Sequence, residues 1–361
     1  MSGTVPRTGV VVLVMGFLGI LYLATQLPPP PPHSSSALPV DDLLLTSPRI
    51  RLSDGRFLAY SERGVSKNKS KYKIIIIHGF GSSKEMNFHV PQELIEELGI
   101  YFLSYDRAGY GESDPNPRRS VKSEALDIQE LADQLQIGSK FYIIGVSMGS
   151  YSAWSCLKYI PDRLAGATLV VPVVNYWWPS LPDNLIRDDY RRTVVQWAIW
   201  LANYAPGLLY WWATQKWLPS TSVLQRNPVY FNNRDADVLK TTKGFPMLTQ
   251  DRLRQRGVFD TLREDFTVAF SKWEFDPMEL SNPFSQNQSG LHIWQGYEDK
   301  VVPFQLQRYV WSKLPWIHYH EVPDGGHLIV HYNGLCEAIL RALLLGEEPL
   351  YYRPSVAKIV S

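Results

Sequence analysis

Cysteine is scarce in this chain: Cys156 and Cys336 are the two among 361 residues. Two thiols cannot staple a small fold, so a disulfide scaffold is excluded and the compartment stays open. An excess of one charge is also missing. Lys and Arg total 36 against 35 Asp and Glu, a formal net charge of +1, and neither a basic run nor an acidic tail occurs. Phosphate backbones are bound by clustered cations, so nucleic acid is not an expected partner. Metal-ligand spacings are missing too. Among eight histidines the one His-x-x-x-His pair is His327 and His331, and no Glu stands beside the first. A zinc hydrolase helix carries that Glu, so neither a metal nor a cofactor is expected.

The remaining composition, 45% hydrophobic and 20% charged, is that of a folded domain able to bury a large core. Residues 1–8 form a short tail. Residues 9–27 are the most apolar stretch, and Val10 to Leu23 contains only apolar residues and glycine. As a helix, residues 9–27 span about 28 Å, enough to cross a bilayer core. A cleaved signal peptide is the rival reading. A cut after Ala24 puts bulky Tyr22 where a small residue is needed, and Ser35 and Ala37 lie far downstream. A transmembrane anchor is therefore the expectation. Arg7 precedes the segment and no Lys or Arg follows until Arg49, which predicts a lumenal or extracellular catalytic domain. Two sequons, Asn68-Lys69-Ser70 and Asn287-Gln288-Ser289, would then be available for glycosylation. Residues 28–48 begin with five prolines and read as a stiff or disordered linker.

From Arg49 the pattern changes. Asp54-Gly55 is a hairpin turn signal. Runs at 73–77, 100–103, 141–144, 169–171, 291–294 and 319–322 read as strands, most of them rich in apolar residues and separated by helical patterns such as Ala125, Ile128 and Leu131. This alternation predicts an α/β domain with a mostly parallel sheet covered on both faces. Residues 49–174 and 289–345 form the core on this reading, with 346–361 as a C-terminal tail. Residues 175–288 break the alternation and hold eight of the twelve tryptophans: Trp177, Trp178, Trp197, Trp200, Trp211, Trp212, Trp217 and Trp273. An insertion of that length between strands reads as a helical cap. Its tryptophans suit an apolar substrate pocket, the cap's own core, or a membrane interface.

The chemistry concentrates at three places. Gly145-Val146-Ser147-Met148-Gly149 joins a buried strand to a helical pattern, the context in which a serine is held exposed on a strained turn. A serine hydroxyl needs a base, and His327 follows the strand ending at Val322 through Asp324-Gly325-Gly326, opening a helical stretch. His331 lies one turn further on and should point away. The base needs a carboxylate to fix its tautomer. The loop after the strand at 291–294 supplies Asp299, with Glu298 as rival. For the oxyanion, Met148 offers one backbone N–H, and the loop His78-Gly79-Phe80-Gly81 offers that of Phe80. His78 is read as ordering that loop.

These segments, together with Asp106-Arg107-Ala108-Gly109-Tyr110-Gly111-Glu112-Ser113, resemble the α/β-hydrolase superfamily over roughly residues 49–345. The order nucleophile, acid, histidine is the one this fold uses. The resemblance implies an eight-stranded, mostly parallel sheet under a helical cap, an esterase- or lipase-like activity, and a structural role for Asp106. It also implies that Cys156 and Cys336 lie on helices covering opposite faces, beyond the ~7 Å reach of a disulfide. Epoxide hydrolases and haloalkane dehalogenases share the fold but carry aspartate where Ser147 stands. The function expected is ester hydrolysis through an acyl-enzyme on Ser147, with a small apolar or lipid-like substrate. The alternatives are a ligand-binding or receptor-like protein on the same fold, and an acyltransferase or lyase using the same triad.

Overall fold

The structure is a computed structural model that describes residue 16 and residues 46–214, 230–241, 248, 252, 255–284 and 289–354. All of the expected anchor at 9–27 except residue 16, and nearly all of the linker, lie outside the described residues, as do Trp217 and Asn287. Among the described residues no helix is long and apolar enough to cross a membrane.

The chain builds an eight-stranded sheet in the order β1-β2-β4-β3-β5-β6-β7-β8. Its strands are β1 (Arg49–Arg51), β2 (Phe57–Gly64), β3 (Tyr72–Ile77), β4 (Ile100–Tyr105), β5 (Phe141–Val146), β6 (Leu164–Val170), β7 (Leu291–Gly296) and β8 (Ile317–Val322). β1 and β2 pair antiparallel across the Asp54-Gly55 turn, where Gly55 takes φ +93°, and β2 runs antiparallel to β4. All other pairings are parallel.

Strand periodicity divides the apolar runs between two cores. Ile75, Ile77, Leu103, Tyr105 and Ile143 point to one side; Ile74, Ile76, Ile100, Phe102 and Ile144 point to the other. The core helices follow in chain order: α1 (Gln92–Leu98), α2 (Val121–Gln134) and α3 (Gly149–Tyr159). The interval after β6 carries α4 (Tyr190–Tyr204), α5 (Pro206–Thr214), α6 (Asn233–Thr241) and α7 (Arg256–Ala269), and among its described residues no strand occurs. The core resumes with α8 (Phe304–Lys313) and α9 (Leu335–Leu345). Helices α2, α3 and α8 bury Ile128, Trp154 and Leu306 in the first core, while α1 and α9 bury Ile95 and Leu340 in the second. Cys156 and Cys336 fall in different cores, both buried and both free.

Two local readings need correction. Val171 is not in β6: it takes φ +45° just past the strand, and its N–H donates to the Trp294 carbonyl at 2.8 Å. The strand starts earlier, at Leu164, where small residues (Ala165, Gly166, Ala167) hide it from an apolar-run reading. His327 does not open a helix directly either. A 3-10 turn spans Ile329–His331, Tyr332 is extended, and α9 begins only after Gly334 at φ +76°.

Topology fixes where a site can form. The chain leaves β3 for β4 on one side and returns to β5 on the other, so the loops after β3 and β5 diverge at the carboxyl edge. That split is where open α/β sheets bind ligands.

Candidate active site

Ser147 sits at this split with φ +50°, a conformation unfavourable for a residue with a side chain. Its N–H donates to the Val170 carbonyl at 2.8 Å, which holds the turn closed. The bordering glycines are steric necessities. A Cβ on Gly149 would collide with the Ile77 carbonyl oxygen, and one on Gly145 would come within 2.8 Å of the Gly149 oxygen. Gly79 is pressed against the same turn, where a Cβ would stand 3.2 Å from the Ser147 Cβ.

The structure brings Ser147, His327 and Asp299 together from three loops. Ser147 Oγ lies 2.9 Å from His327 Nε2, and His327 Nδ1 lies 2.9 Å from Asp299 Oδ2. Asp299 is buried and its second oxygen accepts the backbone N–H groups of Val301 and Val302 at 2.8 and 2.9 Å. Gln295 Nε2 donates to Oδ2 at 3.0 Å. Burial pulls the His327 imidazole pKa down, but the charge and hydrogen bond of Asp299, with the charge of Asp235 added, outweigh it. The net result lies above the usual 6.5. Glu298 faces elsewhere and accepts a hydrogen bond from Asn232 at 3.0 Å.

The backbone N–H groups of Phe80 and Met148 have no acceptor among the described residues. His78 orders the Phe80 loop: Nδ1–H donates to the Gly79 carbonyl at 2.8 Å, and Nε2 accepts the Arg107 N–H at 3.1 Å. Burial, with Arg107 nearby, lowers its pKa to about 3, so the ring is neutral and its tautomer fixed. Phe80 meets Phe266 of α7 edge to face at 6.4 Å, and Phe266 meets Phe270 at 4.8 Å.

The segment from Asp106 to Ser113 is a scaffold. Asp106 accepts the Lys84 N–H at 2.7 Å, the Lys84 ammonium at 2.9 Å and the Glu112 N–H at 3.0 Å. Arg107, wholly buried, forks onto Asp265 of α7 at 2.7 and 2.6 Å. Tyr110 and Tyr151 donate their hydroxyls to the same carboxylate at 2.5 and 2.6 Å. The cap interval is thus bolted to the core through a charge pair that sequence reading missed, because Asp265 lies among ordinary helical residues. Gln295 left a faint signal as a polar residue next to the end of a buried strand. Asp235, described below, left none.

Other histidines stand apart from Ser147. His292, His318 and His320 stack along β7 and β8, with His292 Nδ1 3.0 Å from His320 Nε2. His331 closes its 3-10 turn, and His33 lies outside the described residues. The tryptophans split into two populations. Trp178 and Trp273 are buried, 5.3 Å apart, with Trp178 also meeting Trp154 at 6.4 Å. Trp177, Trp197, Trp200 and Trp211 are exposed.

Comparison with known proteins agrees with this architecture. Residues 74–334 match the family model described as the alpha/beta hydrolase family. An esterase from Exiguobacterium antarcticum superposes with a TM-score of 0.59 at 16% identity, covering 82% of this chain and 99% of that one. A bromoperoxidase from Bacillus anthracis gives 0.58 at 19% identity, covering 84% and 100%. A thermophilic esterase from Thermogutta terrifontis gives 0.51 at 19%, covering 83% and 98%. At these identities the likeness speaks to the fold. With the family model spanning 261 of 361 residues (74 through 334), this chain belongs to the alpha/beta hydrolase family.

Proposed function

We propose that the protein is a serine hydrolase that cleaves carboxylic esters through an acyl-enzyme on Ser147. The observation that carries this reading is the continuous relay from Ser147 Oγ through His327 to the buried Asp299. In the reaction, His327 Nε2 takes the hydroxyl proton as Ser147 Oγ bonds to the ester carbonyl carbon. The N–H groups of Phe80 and Met148 receive the oxyanion. The tetrahedral species expels the alcohol, which leaves with the proton from His327. Water then repeats the sequence, giving its proton to His327 and its oxygen to the acyl group, and Ser147 recovers its hydrogen. Asp299 keeps the Nδ1–H in place and stabilises the transient imidazolium.

An apolar acyl group suits the site because Phe80, Phe266 and Phe270 form a run of aromatic rings beginning at the oxyanion loop. The buried pair Trp178 and Trp273 packs on Trp154 and Tyr151 of α3, in the core under the sheet and not in a separate core of the cap. The experiment that tests the reaction is rapid mixing with p-nitrophenyl esters of graded chain length. A stoichiometric burst of p-nitrophenol with an acyl adduct on Ser147, absent in Ser147→Ala, is expected. A burst without that adduct refutes the assignment, and an adduct released to alcohols but not to water marks a transferase instead.

We also infer that residues 9–27 hold the protein at a membrane, with the catalytic domain on the non-cytosolic side. An exposed apolar face on α4 suits a domain held beside a bilayer, though on neither side in particular: Tyr190, Val194, Trp197, Trp200 and Tyr204 recur along one side of the helix. Trp and Tyr favour the headgroup region of a bilayer. Asn68, the described sequon, stands exposed in a turn.

A further inference from the structure

The cap interval touches the histidine loop directly. Asp235, on α6, is fully buried. Its Oδ2 accepts the backbone N–H of His327 at 2.8 Å. Its Oδ1 accepts the Leu328 N–H and the Tyr332 hydroxyl, each at 2.9 Å. Gly326 makes the approach possible, since a Cβ there would collide with the Asp235 carboxylate. Asn232, just before α6, extends the grip. Its amide donates to Glu298 in the acid loop and to the Asp324 carbonyl in the histidine loop, both at 3.0 Å, and its Oδ1 accepts the Asp235 N–H at 2.8 Å. Arg234 pairs with Asp324 at 2.6 Å and lies over the Tyr332 ring at 4.1 Å.

We propose that Asp235 is a positioning residue, a carboxylate supplied by the cap that makes seating of the cap and assembly of the Ser147–His327–Asp299 relay one event. The proposal rests on the serine-hydrolase reading above. Two features separate it from a simple packing anchor. The bond is made to the backbone of His327 itself, so it fixes the dihedrals from which the imidazole reaches both Ser147 Oγ and Asp299 Oδ2. Asp235 also adds a negative charge that favours the imidazolium formed when Ser147 gives up its proton. The ionisable groups facing His327 are Asp299 from the loop after β7 and Asp235 from α6. Those facing Asp235 are His327 and Tyr332, with Arg234 of its own helix on the far side of the Tyr332 ring. A cap lifted from the core would strip two backbone N–H groups of their acceptor and release the histidine loop.

The experiment compares full-length wild type, Asp235→Asn and Tyr332→Phe, with circular dichroism as the fold control. Hydrolysis of a p-nitrophenyl ester is followed across pH, and the rate of fluorophosphonate labelling is recorded. Folded Asp235→Asn is expected to lose about 10- to 100-fold in kcat with KM nearly unchanged, as misplacement of a catalytic group does. The acidic limb of its kcat/KM profile should move to lower pH, because the lost charge favoured the imidazolium. Tyr332→Phe removes a donor to Asp235 and the acceptor of the Gly326 N–H but keeps the charge, so a smaller fall in kcat with an unmoved limb is expected. Wild-type kcat and an unmoved limb in folded Asp235→Asn overturn the proposal. Should that variant fail to fold, unchanged kcat and labelling rate in Tyr332→Phe overturn it. Absence of labelling at Ser147 in the wild type would instead sink the serine-hydrolase reading itself.

Discussion

Replacing Asp299 by asparagine removes one charge and, because of the surrounding donors, also reverses the polarity of the bond to His327. Asp299 Oδ1 accepts two backbone N–H groups, from Val301 and Val302. An asparagine keeps its carbonyl oxygen there, since the two fixed backbone donors outweigh the single side-chain donor, Gln295 Nε2, at the other oxygen. The new amide nitrogen then occupies the Oδ2 position, 2.9 Å from His327 Nδ1, and donates where the carboxylate accepted. His327 is driven to the Nε2–H tautomer. That nitrogen no longer has a lone pair for the Ser147 proton. The loss expected for this tautomer inversion is about 10⁴-fold in kcat, equivalent to about 5 kcal/mol in the barrier. The assay is steady-state hydrolysis of a p-nitrophenyl ester by full-length protein, with Glu298→Gln run in parallel. Glu298 bonds to Asn232 and not to the imidazole, so its amide should keep activity within about tenfold, the range of an indirect effect. Asp299→Asn retaining a tenth of wild-type activity, or Glu298→Gln proving the more damaging change, would refute the reasoning.

Three further outcomes are expected, two from the geometry and one from the sequence of residues 9–27. His327 must be neutral to accept a proton and its pKa lies above 6.5, so kcat/KM should fall as pH drops through an inflection above that value; an inflection below it contradicts the charge environment described. Arg107→Met strips Asp265 of its bidentate partner but leaves Arg119 2.9 Å from the carboxylate, so a loss of about 1.5–3 kcal/mol in urea unfolding is expected, whereas less than about 0.5 kcal/mol would show the Arg107 pair to be dispensable. Expressed in a eukaryotic cell, the protein should stay with carbonate-washed membranes, resist protease in sealed microsomes and shift on glycosidase treatment; full digestion of the domain in sealed microsomes contradicts the proposed topology.

Much of this was legible in the sequence because the relevant physics is local. The buried parallel strands declare themselves as β-branched runs, of which 73–77 is the plainest. The elbow is legible because Gly145 and Gly149 have no substitutes: one faces the Gly149 oxygen, the other the Ile77 carbonyl. Asp299 was the leading candidate in the sequence, but spacing alone could not exclude Glu298. Adjacent acids on a loop differ only in which side of the turn faces the histidine, and three-dimensional donors decide that. β6 was placed late because Ala165-Gly166-Ala167 carries little apolar signal, although close packing against Tyr142 and Ser289 needs Gly166 to be small. Asp265 and Asp235 were invisible for a further reason. Each is an ordinary acid in a helix, and its meaning comes entirely from a partner 158 or 92 residues away. Long-range charge pairing between cap and core has no periodicity to read.

The proposed chemistry depends above all on Ser147 being a nucleophile activated by His327. The most direct test is intact-protein and peptide mass spectrometry after brief exposure to a fluorophosphonate. One adduct per chain, mapped to Ser147, lost in Ser147→Ala and slowed by orders of magnitude in His327→Ala, is the expected result. Labelling that persists in Ser147→Ala at another serine, or a folded wild type that takes no label, would contradict it.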